Sequence, residues 1–313
     1  MKETAGKERK ILGMPYEEFF VSGHRACPGC AEALAIRHVV KAAGSNSIAV
    51  MATGCMEVVS TPYPESAWNI PWIHSAFENA AAVASGIDAA LKKQGKRSGL
   101  NLLVFGGDGS SFDIGFGALS GALERGQKFT YVCTDTEAYS NTGMQRSGAT
   151  PLYANTSTSP AGSKVHGKQQ PKKPLPLIVA SHGIKYVATA SLANIIDLHK
   201  KVQKALATEG PSFIHVFTPC PTGWHSEPAL SIELCRLAVQ ARVFPLYEIE
   251  NGVLRFNQKI EKQNAKPVKD YLQTQGRFKH LSEAEVKQVQ EFVDARYEFL
   301  LGIEGKKCFD VLF

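Results

Sequence analysis

Two patterns of apolar residues, one typical of helices and one typical of buried strands, alternate along most of the chain. Apolar residues three or four positions apart predict helices, whereas short apolar runs between turn residues predict buried strands. The predicted helices cover residues 30–43, 76–93, 114–125, 177–181, 195–207 and 283–301. The predicted strands cover residues 47–51, 101–105, 128–134, 186–190 and 212–217. Because strands that alternate with helices form βαβ units, we predict an α/β fold with a parallel sheet flanked by helices.

Other segments depart from this alternation. Residues 139–173 have no apolar period and are rich in Ser, Thr, Gly, Asn and Pro, which predicts a long functional loop. Residues 247–256 alternate around Asn251-Gly252, which predicts a hairpin. Residues 259–279 are rich in Lys and mixed in charge. We interpret them either as a solvated linker or as an arm that embraces a partner subunit.

The same pattern sets the predicted domain boundaries. We expect an N-terminal arm over residues 1–22 and one domain over residues 23–228. Because the βαβ alternation ends beyond Trp224, we expect residues 229–313 to form a C-terminal extension, an arm that docks on a partner subunit.

Composition narrows the classes of function. Apolar residues make up 44% of the 313 residues, which is enough for a core and excludes a disordered chain. The net charge of +6 suits an acidic protein partner or a phosphorylated cofactor and gives little support for nucleic acid binding. No apolar run is long enough to span a membrane and no signal peptide is recognised, so we expect a cytoplasmic protein without membrane association.

The chain contains seven cysteines, and an odd number spread over a long chain favours metal or cluster ligation over disulfides. Cys27 and Cys30 form a C-x-x-C motif at a helix start, and Cys55 and Cys220 lie in turns or at element ends. Four such thiolates are what a [4Fe–4S] cluster requires. A four-cysteine zinc site and a set of unrelated structural cysteines remain as alternatives. The other cysteines are interpreted as packing residues: Cys133, Cys235 and Cys308.

A glycine turn with an acidic residue connects a predicted strand to a helix at Gly106-Gly107-Asp108-Gly109. It lacks the spacing of a Rossmann fingerprint, because Asp108 occupies the tight turn. A carboxylate beside a phosphate-binding turn is best explained by a Mg²⁺ ion between them. Thr136 lies directly past the next strand, at the same edge of the sheet, and can supply a second oxygen ligand. This combination is typical of thiamine diphosphate sites, in which Mg²⁺ holds the pyrophosphate against two strand ends.

Several motifs in a fixed order give the chain a recognisable pattern. They occupy residues 23–30, 52–55, 68–74, 77–82, 106–115, 139–151 and 219–221. In these blocks the chain resembles the β subunits of the pyruvate:ferredoxin oxidoreductases, within the wider 2-oxoacid:ferredoxin oxidoreductase family. The resemblance implies a thiamine-diphosphate-binding fold and makes residues 23–228 a domain that binds both the cofactor and an iron–sulfur cluster.

The resemblance also implies roles for single residues. It makes Cys27, Cys30, Cys55 and Cys220 the ligands of a [4Fe–4S] cluster near thiamine. It makes Asn141 the catalytic candidate, since this loop residue faces the reacting carbon and the substrate. It assigns the Mg²⁺ ligands to two side chains and one backbone carbonyl: Asp108, Thr136 and Ala138. It places further residues against the cofactor: Glu32, Gly54, Gly107, Gly109, Ser110 and Thr142, together with Cys55 and Asn141.

The activity implied by the resemblance is oxidative decarboxylation of a 2-oxoacid, with electrons passed through the cluster to ferredoxin and acyl-CoA usually formed from CoA. Pyruvate is favoured as substrate, and oxalate, 2-oxoglutarate and branched 2-oxoacids are alternatives. Two other functions stay open: a thiamine-dependent decarboxylase or carboligase without redox chemistry, and a zinc-stabilised interaction protein.

Partner chains are implied by what the sequence lacks. It has one βαβ set and no C-x-x-C-x-x-C-x-x-x-C-P run. We therefore expect an α subunit with the domain that activates the aminopyrimidine, a subunit with ferredoxin-type clusters, and a dimer of such heteromers.

One residue within the motifs departs from the family pattern, and three others have open roles. Met144 stands where many single-chain family members have Gly, so this block looks more like the separate-subunit enzymes. Arg146 either contacts substrate or packs on its own loop. His24 and His74 either line the cofactor pocket or make structural hydrogen bonds.

Overall fold

The structure, a computed structural model, describes residues 10–11 and 13–312, with side chains from residue 13 onward. Its strands are β1 (Lys10–Ile11), β2 (Met14–Pro15), β3 (Ser47–Ala52), β4 (Trp72–Ser75), β5 (Asn101–Gly106), β6 (Thr130–Asp135), β7 (Tyr186–Ser191), β8 (Ser212–Phe217), β9 (Leu246–Glu250) and β10 (Val253–Gln258). Its helices are α1 (Ala31–Ala43), α2 (Cys55–Ser60), α3 (Ala80–Lys93), α4 (Asp108–Phe112), α5 (Phe116–Glu124), α6 (Leu175–Ala180), α7 (Ile195–Ala207), α8 (Pro221–Trp224), α9 (Ser231–Gln240), α10 (Val268–Leu272) and α11 (Glu283–Ile303).

Eight of the described strands form one sheet in the order β10-β9-β7-β8-β6-β5-β3-β4. The six strands from β7 to β4 in this order pair in parallel, and β9 and β10 pair antiparallel at one end. Every residue of β6 is buried, and neighbouring residues face different cores: Val132 packs in one and Cys133 in the other. Helices cover both faces, which explains why the parallel strands read as continuous apolar runs. The predicted α/β fold is confirmed.

The observed elements differ from the predicted ones mainly where a helix or strand is short. The helix predicted over residues 114–125 is α5, and sequence analysis missed the short helix α4 just before it, which is separated from α5 by a turn that includes Gly115. A Cβ at Gly115 would lie 2.2 Å from the carbonyl oxygen of Ser110, so only glycine permits this close approach. Sequence analysis also missed the edge strand β4, because its four residues are too few and too exposed to show a period.

The loop over residues 139–173 contains no helix or strand, as predicted, yet it is firmly held. Lys168 is buried within it and donates hydrogen bonds to the carbonyl oxygens of Thr150 and Pro171. Ala149 and Ala154 are also fully buried. The loop is therefore an ordered segment beside the edge of the sheet.

No described helix of the chain is long and apolar enough to cross a membrane.

The interpretation of residues 259–279 as a solvated linker is wrong for their second half. This half forms α10 and a 3₁₀ turn at Gly276–Phe278, and Tyr271, Leu272 and Arg277 are buried. The hairpin β9–β10 extends the sheet of the preceding domain, so the boundary at residue 228 does not separate two cores. Docking of residues 229–313 on a partner subunit stays a prediction.

The N-terminal arm predicted over residues 1–22 lies partly outside the described residues, at 1–9 and 12. Its end packs on the body of the protein, because Phe19 and Phe20 are buried in the core.

Replacing Leu254 tests whether the C-terminal extension shares the main core. Leu254 is fully buried on β10, so Leu254→Ala should lower the free energy of unfolding by about 2–5 kcal/mol, in the same transition as the rest of the chain. Arg255→Ala, at the exposed neighbouring position, is the control and should change little. Chemical denaturation followed by circular dichroism measures both. A second transition that alone responds to Leu254→Ala would show that the extension folds separately.

Candidate functional site

A cavity opens at the carboxyl ends of β3, β5 and β6, where parallel strands bring their following turns together. The turn after β3 contributes Gly54, the turn after β5 contributes Asp108, and the segment after β6 contributes Thr136. All of the predicted cofactor-binding residues line this cavity: Glu32, Gly54, Cys55, Gly107, Asp108, Gly109, Ser110, Thr136, Ala138, Asn141 and Thr142.

Asp108 is a buried acidic residue that lines this cavity. It begins the short helix α4 directly after β5, and only 3% of it is exposed. One carboxylate oxygen accepts a hydrogen bond from the backbone N–H of Thr136 at 2.9 Å, and the other accepts one from the hydroxyl of Ser147 at 3.0 Å. Burial raises the pKa of Asp108 well above its usual range, and the nearby charge of Asp135 raises it further.

Thr136 and Ala138 place two more oxygen atoms beside this carboxylate. The hydroxyl of Thr136 lies 3.2 Å from the carbonyl oxygen of Ala138 and 2.8 Å from the hydroxyl of Ser140. Pairing of β5 with β6 puts Asp108 and Thr136 at adjacent strand ends, so the three predicted ligands converge.

These three residues fit a Mg²⁺ ion. The hydrogen-bond donors to Asp108 are uncharged, and the nearby charge of Lys172 offsets the effect of burial on its pKa only in part. Burying a carboxylate without a cation in contact with it is costly. A divalent cation beside it would favour the charged form. Carboxylate, hydroxyl and carbonyl oxygens are the donors that Mg²⁺ prefers.

Aromatic rings close the cavity over the glycine turn. A Cβ at Gly109 would lie 2.2 Å from the ring of Tyr139 and 2.3 Å from the ring of Phe77, and these two rings stack with centroids 5.9 Å apart. Glycine is therefore required here by space, with no need for an unusual φ. Sequence analysis missed Ser147, Phe77 and Tyr139 as site residues, although all three lie within the motif blocks.

Glu32 projects into the cavity from α1 and is buried. Its carboxylate accepts a hydrogen bond from the hydroxyl of Thr134 at 2.7 Å. Burial raises the pKa of Glu32 to about 7, against the opposing effect of this hydrogen bond. The position agrees with its predicted place near the cofactor.

The four predicted cluster cysteines lie near one another, and Cys55 among them lines the cavity. Negative charges nearby disfavour ionisation of three of these thiols. Cys220 raises the pKa of both Cys30 and Cys55, and Cys27 raises the pKa of Cys220. Burial is the main reason why the pKa of each of these three thiols is raised, in Cys30 to about 12. Bonding to iron would stabilise the thiolates.

Hydrogen-bond donors surround these sulfur atoms, as the sequence suggests for turns. The backbone N–H of Gly223 lies 3.4 Å from the sulfur of Cys220, and backbone amides at the start of α1 face Cys30. Such amides tune the potential of an iron–sulfur cluster. The surroundings of Cys30 and Cys220 are therefore of the kind that a cluster ligand requires.

The zinc alternative is less well matched. Within residues 10–11 and 13–312, no group of three or more His, Cys, Asp and Glu side chains is arranged to hold one metal ion. A zinc ion needs its four ligands around one centre, whereas a [4Fe–4S] cluster binds each thiolate at a different iron and so accepts wider spacing.

The loop residue Asn141 connects the two halves of the site. It lines the cavity, and its carboxamide is hydrogen-bonded to the sulfur of Cys55. Met144 adopts a φ of +64° and its side chain packs against Gly223, beside the turn of Cys220. The side chain of Arg146 is exposed on the same loop.

The two motif histidines make structural contacts. His24 stacks on the ring of Phe20 with centroids 5.3 Å apart, and its Nδ1 accepts a hydrogen bond from the N–H of Ala26. The Nε2 of His74 lies 2.7 Å from the hydroxyl of Thr53.

The remaining cysteines are not alike. Cys133 and Cys235 are fully buried in the two cores, as predicted for packing residues. Cys308 is exposed near the C-terminus, so its interpretation as a packing residue is wrong. The prediction rested on the general tendency of free cysteines to be buried, whereas Cys308 lies in an exposed stretch of the C-terminal tail.

Comparison of the sequence with known proteins identifies a matching family and individual relatives. The family model for the C-terminal TPP binding domain of thiamine pyrophosphate enzymes matches residues 52–216. Pyruvate synthase subunit PorB of Methanocaldococcus jannaschii is 50% identical over 94% of this chain and 99% of its own length. Ketoisovalerate oxidoreductase subunit VorB of Pyrococcus furiosus is 43% identical over 93% of this chain and 95% of its own length.

A solved structure shares the fold. A chain of the 2-oxoglutarate:ferredoxin oxidoreductase from Magnetococcus marinus, with 2-oxoglutarate, coenzyme A and succinyl-CoA bound, superimposes with a TM-score of 0.56. The match covers 87% of this chain and 94% of that chain at 20% sequence identity, and it shows a common fold.

Two aspartates on either end of α4 test the metal assignment. Asp108→Asn should weaken the binding of thiamine diphosphate with Mg²⁺ by more than about 100-fold, beyond the loss typical of a group that only supports a ligand. Asp113→Asn is the matched control, since Asp113 bonds to Lys173, Tyr139 and the backbone of Gly148. It should cost about 1 kcal/mol of stability and leave the affinity close to normal. Titration calorimetry measures both, and equal losses would contradict the assignment.

Proposed function

This chain belongs to the β subunits of the 2-oxoacid:ferredoxin oxidoreductases, and from this premise we propose that its complex oxidatively decarboxylates pyruvate, with thiamine diphosphate, Mg²⁺ and a [4Fe–4S] cluster bound by this subunit. The observation that carries the proposal is the convergence of three oxygen ligands, from Asp108, Thr136 and Ala138, at adjacent strand ends. Of the four cysteines of the predicted cluster, which lie near one another, Cys55 lines the same cavity.

The pyrophosphate end of the cofactor would bind at the glycine turn. Asp108, Thr136 and the carbonyl of Ala138 would hold Mg²⁺, and the backbone of Gly107 and Gly109 permits close approach of phosphate. Thiamine diphosphate, when bound, supplies the electron sink that a 2-oxoacid needs in order to lose CO₂. Phe77 and Tyr139 exclude water from one side of the turn.

The residues expected around the reacting end of thiamine diphosphate have different proposed roles. Asn141 is the catalytic candidate, because it lines the cavity and can donate a hydrogen bond to a substrate oxygen. Glu32 can hold a proton near neutral pH, since burial raises its pKa to about 7. Gly54, Ser110 and Thr142 complete the wall of the cavity.

Cys27, Cys30, Cys55 and Cys220 would bind the cluster, which, when bound, accepts electrons one at a time for transfer to ferredoxin. Free thiols at these positions favour a reducing compartment such as the cytoplasm. The redox function is preferred over a decarboxylase or carboligase without electron transfer, because such an enzyme has no use for cysteines grouped beside its cofactor.

Pyruvate is favoured because the relatives named as pyruvate synthase subunits include one 50% identical to this chain, against 43% for the ketoisovalerate relative. Branched 2-oxoacids, 2-oxoglutarate and oxalate are the alternatives. We propose CoA as the acyl acceptor, in agreement with the coenzyme A named for the fold neighbour.

The relatives are named as subunits, so activity should require partner chains. We propose an α subunit that carries the aminopyrimidine-activating domain and a subunit with ferredoxin-type clusters. In this arrangement residues 23–228 bind the cofactor and cluster, residues 229–313 contribute to docking, and two heteromers associate.

The proposed substrate is tested on the purified complex. Reduction of ferredoxin or viologen with CoA should show the highest kcat/KM for pyruvate, compared with a branched 2-oxoacid, 2-oxoglutarate and oxalate. The isolated chain, with its cluster reconstituted and thiamine diphosphate and Mg²⁺ added, should show no turnover. Higher kcat/KM for another acid would reassign the substrate, and turnover by the isolated chain would contradict the need for partners.

The cluster is tested by removing one cysteine at a time. Cys220→Ala should leave an incomplete cluster or one with three irons, because the fourth thiolate is lost. Cys235→Ala is the control, since Cys235 is buried in the core away from the cavity lining. Iron counting and low-temperature electron paramagnetic resonance distinguish the variants. A normal four-iron signal in Cys220→Ala would place the fourth ligand elsewhere.

A further inference from the structure

A buried group of charged residues lies directly behind the proposed Mg²⁺ ligands. Side chains alternate at the end of β6: Thr136 and Ala138 line the cavity, whereas Asp135 and Glu137 point away from it and are almost fully buried. Asp135 accepts hydrogen bonds from Lys172 and from His215. Burial alone would raise the pKa of Asp135, but these two partners lower it well below its usual range.

Glu137 sits at the centre of this segment in a strained conformation. Its φ is +60°, a region that side-chain-bearing residues adopt only when their surroundings hold them there. Lys172 donates to one oxygen of its carboxylate at 2.9 Å, and Arg277 donates to the other at 2.5 Å. Its backbone carbonyl accepts a hydrogen bond from the hydroxyl of Thr150 at 2.7 Å.

Arg277 comes from the C-terminal extension and acts on this segment in two ways. Besides its ion pair with Glu137, its guanidinium lies 3.8 Å from the ring centroid of Trp224. The indole N–H of Trp224 donates a hydrogen bond to the backbone carbonyl of Thr136 at 2.8 Å. Arg277 therefore fixes Glu137 directly and supports the carbonyl of Thr136 through Trp224.

We propose that Arg277 is a positioning residue of the cofactor site. By holding Glu137 and Trp224, it keeps the hydroxyl of Thr136 and the carbonyl of Ala138 directed toward the Mg²⁺ position. The C-terminal extension is thereby part of the cofactor site, whatever else it contacts. This inference rests on the proposed function, because it requires Mg²⁺ and thiamine diphosphate to bind in the cavity.

The chain offers a matched control for Arg277. Arg242 is equally buried, and its guanidinium lies 4.3 Å from the ring centroid of Tyr297 and 2.9 Å from the carboxylate of Glu298. It thus combines the same two interactions at a place that does not line the cavity. A merely structural role for Arg277 predicts that both arginines behave alike.

The test uses the assembled complex, stripped of thiamine diphosphate and Mg²⁺. Mg²⁺ is titrated calorimetrically at saturating thiamine diphosphate, and iron content and thermal unfolding are recorded alongside. Arg277→Met should weaken Mg²⁺ binding by about 10–100-fold, the loss typical of residues that orient metal ligands. Arg277→Lys should lose less, because it keeps the charge but not the planar stack and fork. Arg242→Met should bind Mg²⁺ like the wild type.

Each result decides between the alternatives. Wild-type affinity in Arg277→Met overturns the inference, as does equal weakening in Arg277→Met and Arg242→Met. If Arg277→Met does not assemble, Arg277→Lys decides: reduced affinity supports the positioning role, and wild-type affinity overturns it. Absence of Mg²⁺ and thiamine diphosphate binding in the wild-type complex would instead refute the proposed function, and this inference with it.

Discussion

Burial of the Asp108 carboxylate is the constraint around which the site is organised. A charge this deep in the protein is expensive unless hydrogen bonds and an opposite charge compensate for it. The chain supplies the hydrogen bonds, from Thr136 on the neighbouring strand end and from Ser147 in the long loop. No cationic side chain is hydrogen-bonded to this carboxylate among those bonds, and the nearby charge of Lys172 offsets the effect of burial only in part, so the proposed Mg²⁺ would supply the remaining compensation. The end of β6, the long loop and α4 are thus connected by the need to stabilise this one buried carboxylate.

The neighbouring Asp135 is also a buried carboxylate, but its charge is compensated by side chains of the protein. It is as deeply buried as Asp108, but Lys172 and His215 contact it directly and lower its pKa. A carboxylate with such partners is satisfied within the protein and has no room for a metal. The contrast between these two acids at adjacent strand ends separates the proposed metal ligand, Asp108, from a carboxylate held by ion pairs, Asp135, which burial alone would not do.

The parts of the site that lie close to a strand end could be predicted from the sequence. Asp108 and Thr136 each follow a recognisable strand, so parallel pairing alone brings them together. Arg277 could not be predicted, because its partner Glu137 is distant in sequence and no local pattern connects them. For the same reason the charged stretch before the last helix was open to interpretation as a linker, although Tyr271 in it is buried. Local pattern predicts elements, whereas burial of charged residues depends on the tertiary fold.

The loop after β6 brings the two proposed redox partners into one structure. Ser140 contacts the hydroxyl of Thr136 on the cofactor side and the sulfur of Cys220 on the cluster side. Asn141 is bonded to the sulfur of Cys55 while it lines the cofactor cavity. If the cofactor and the cluster bind as proposed, consecutive residues of one ordered loop would contact both of them, and this short piece of backbone would set the separation between them.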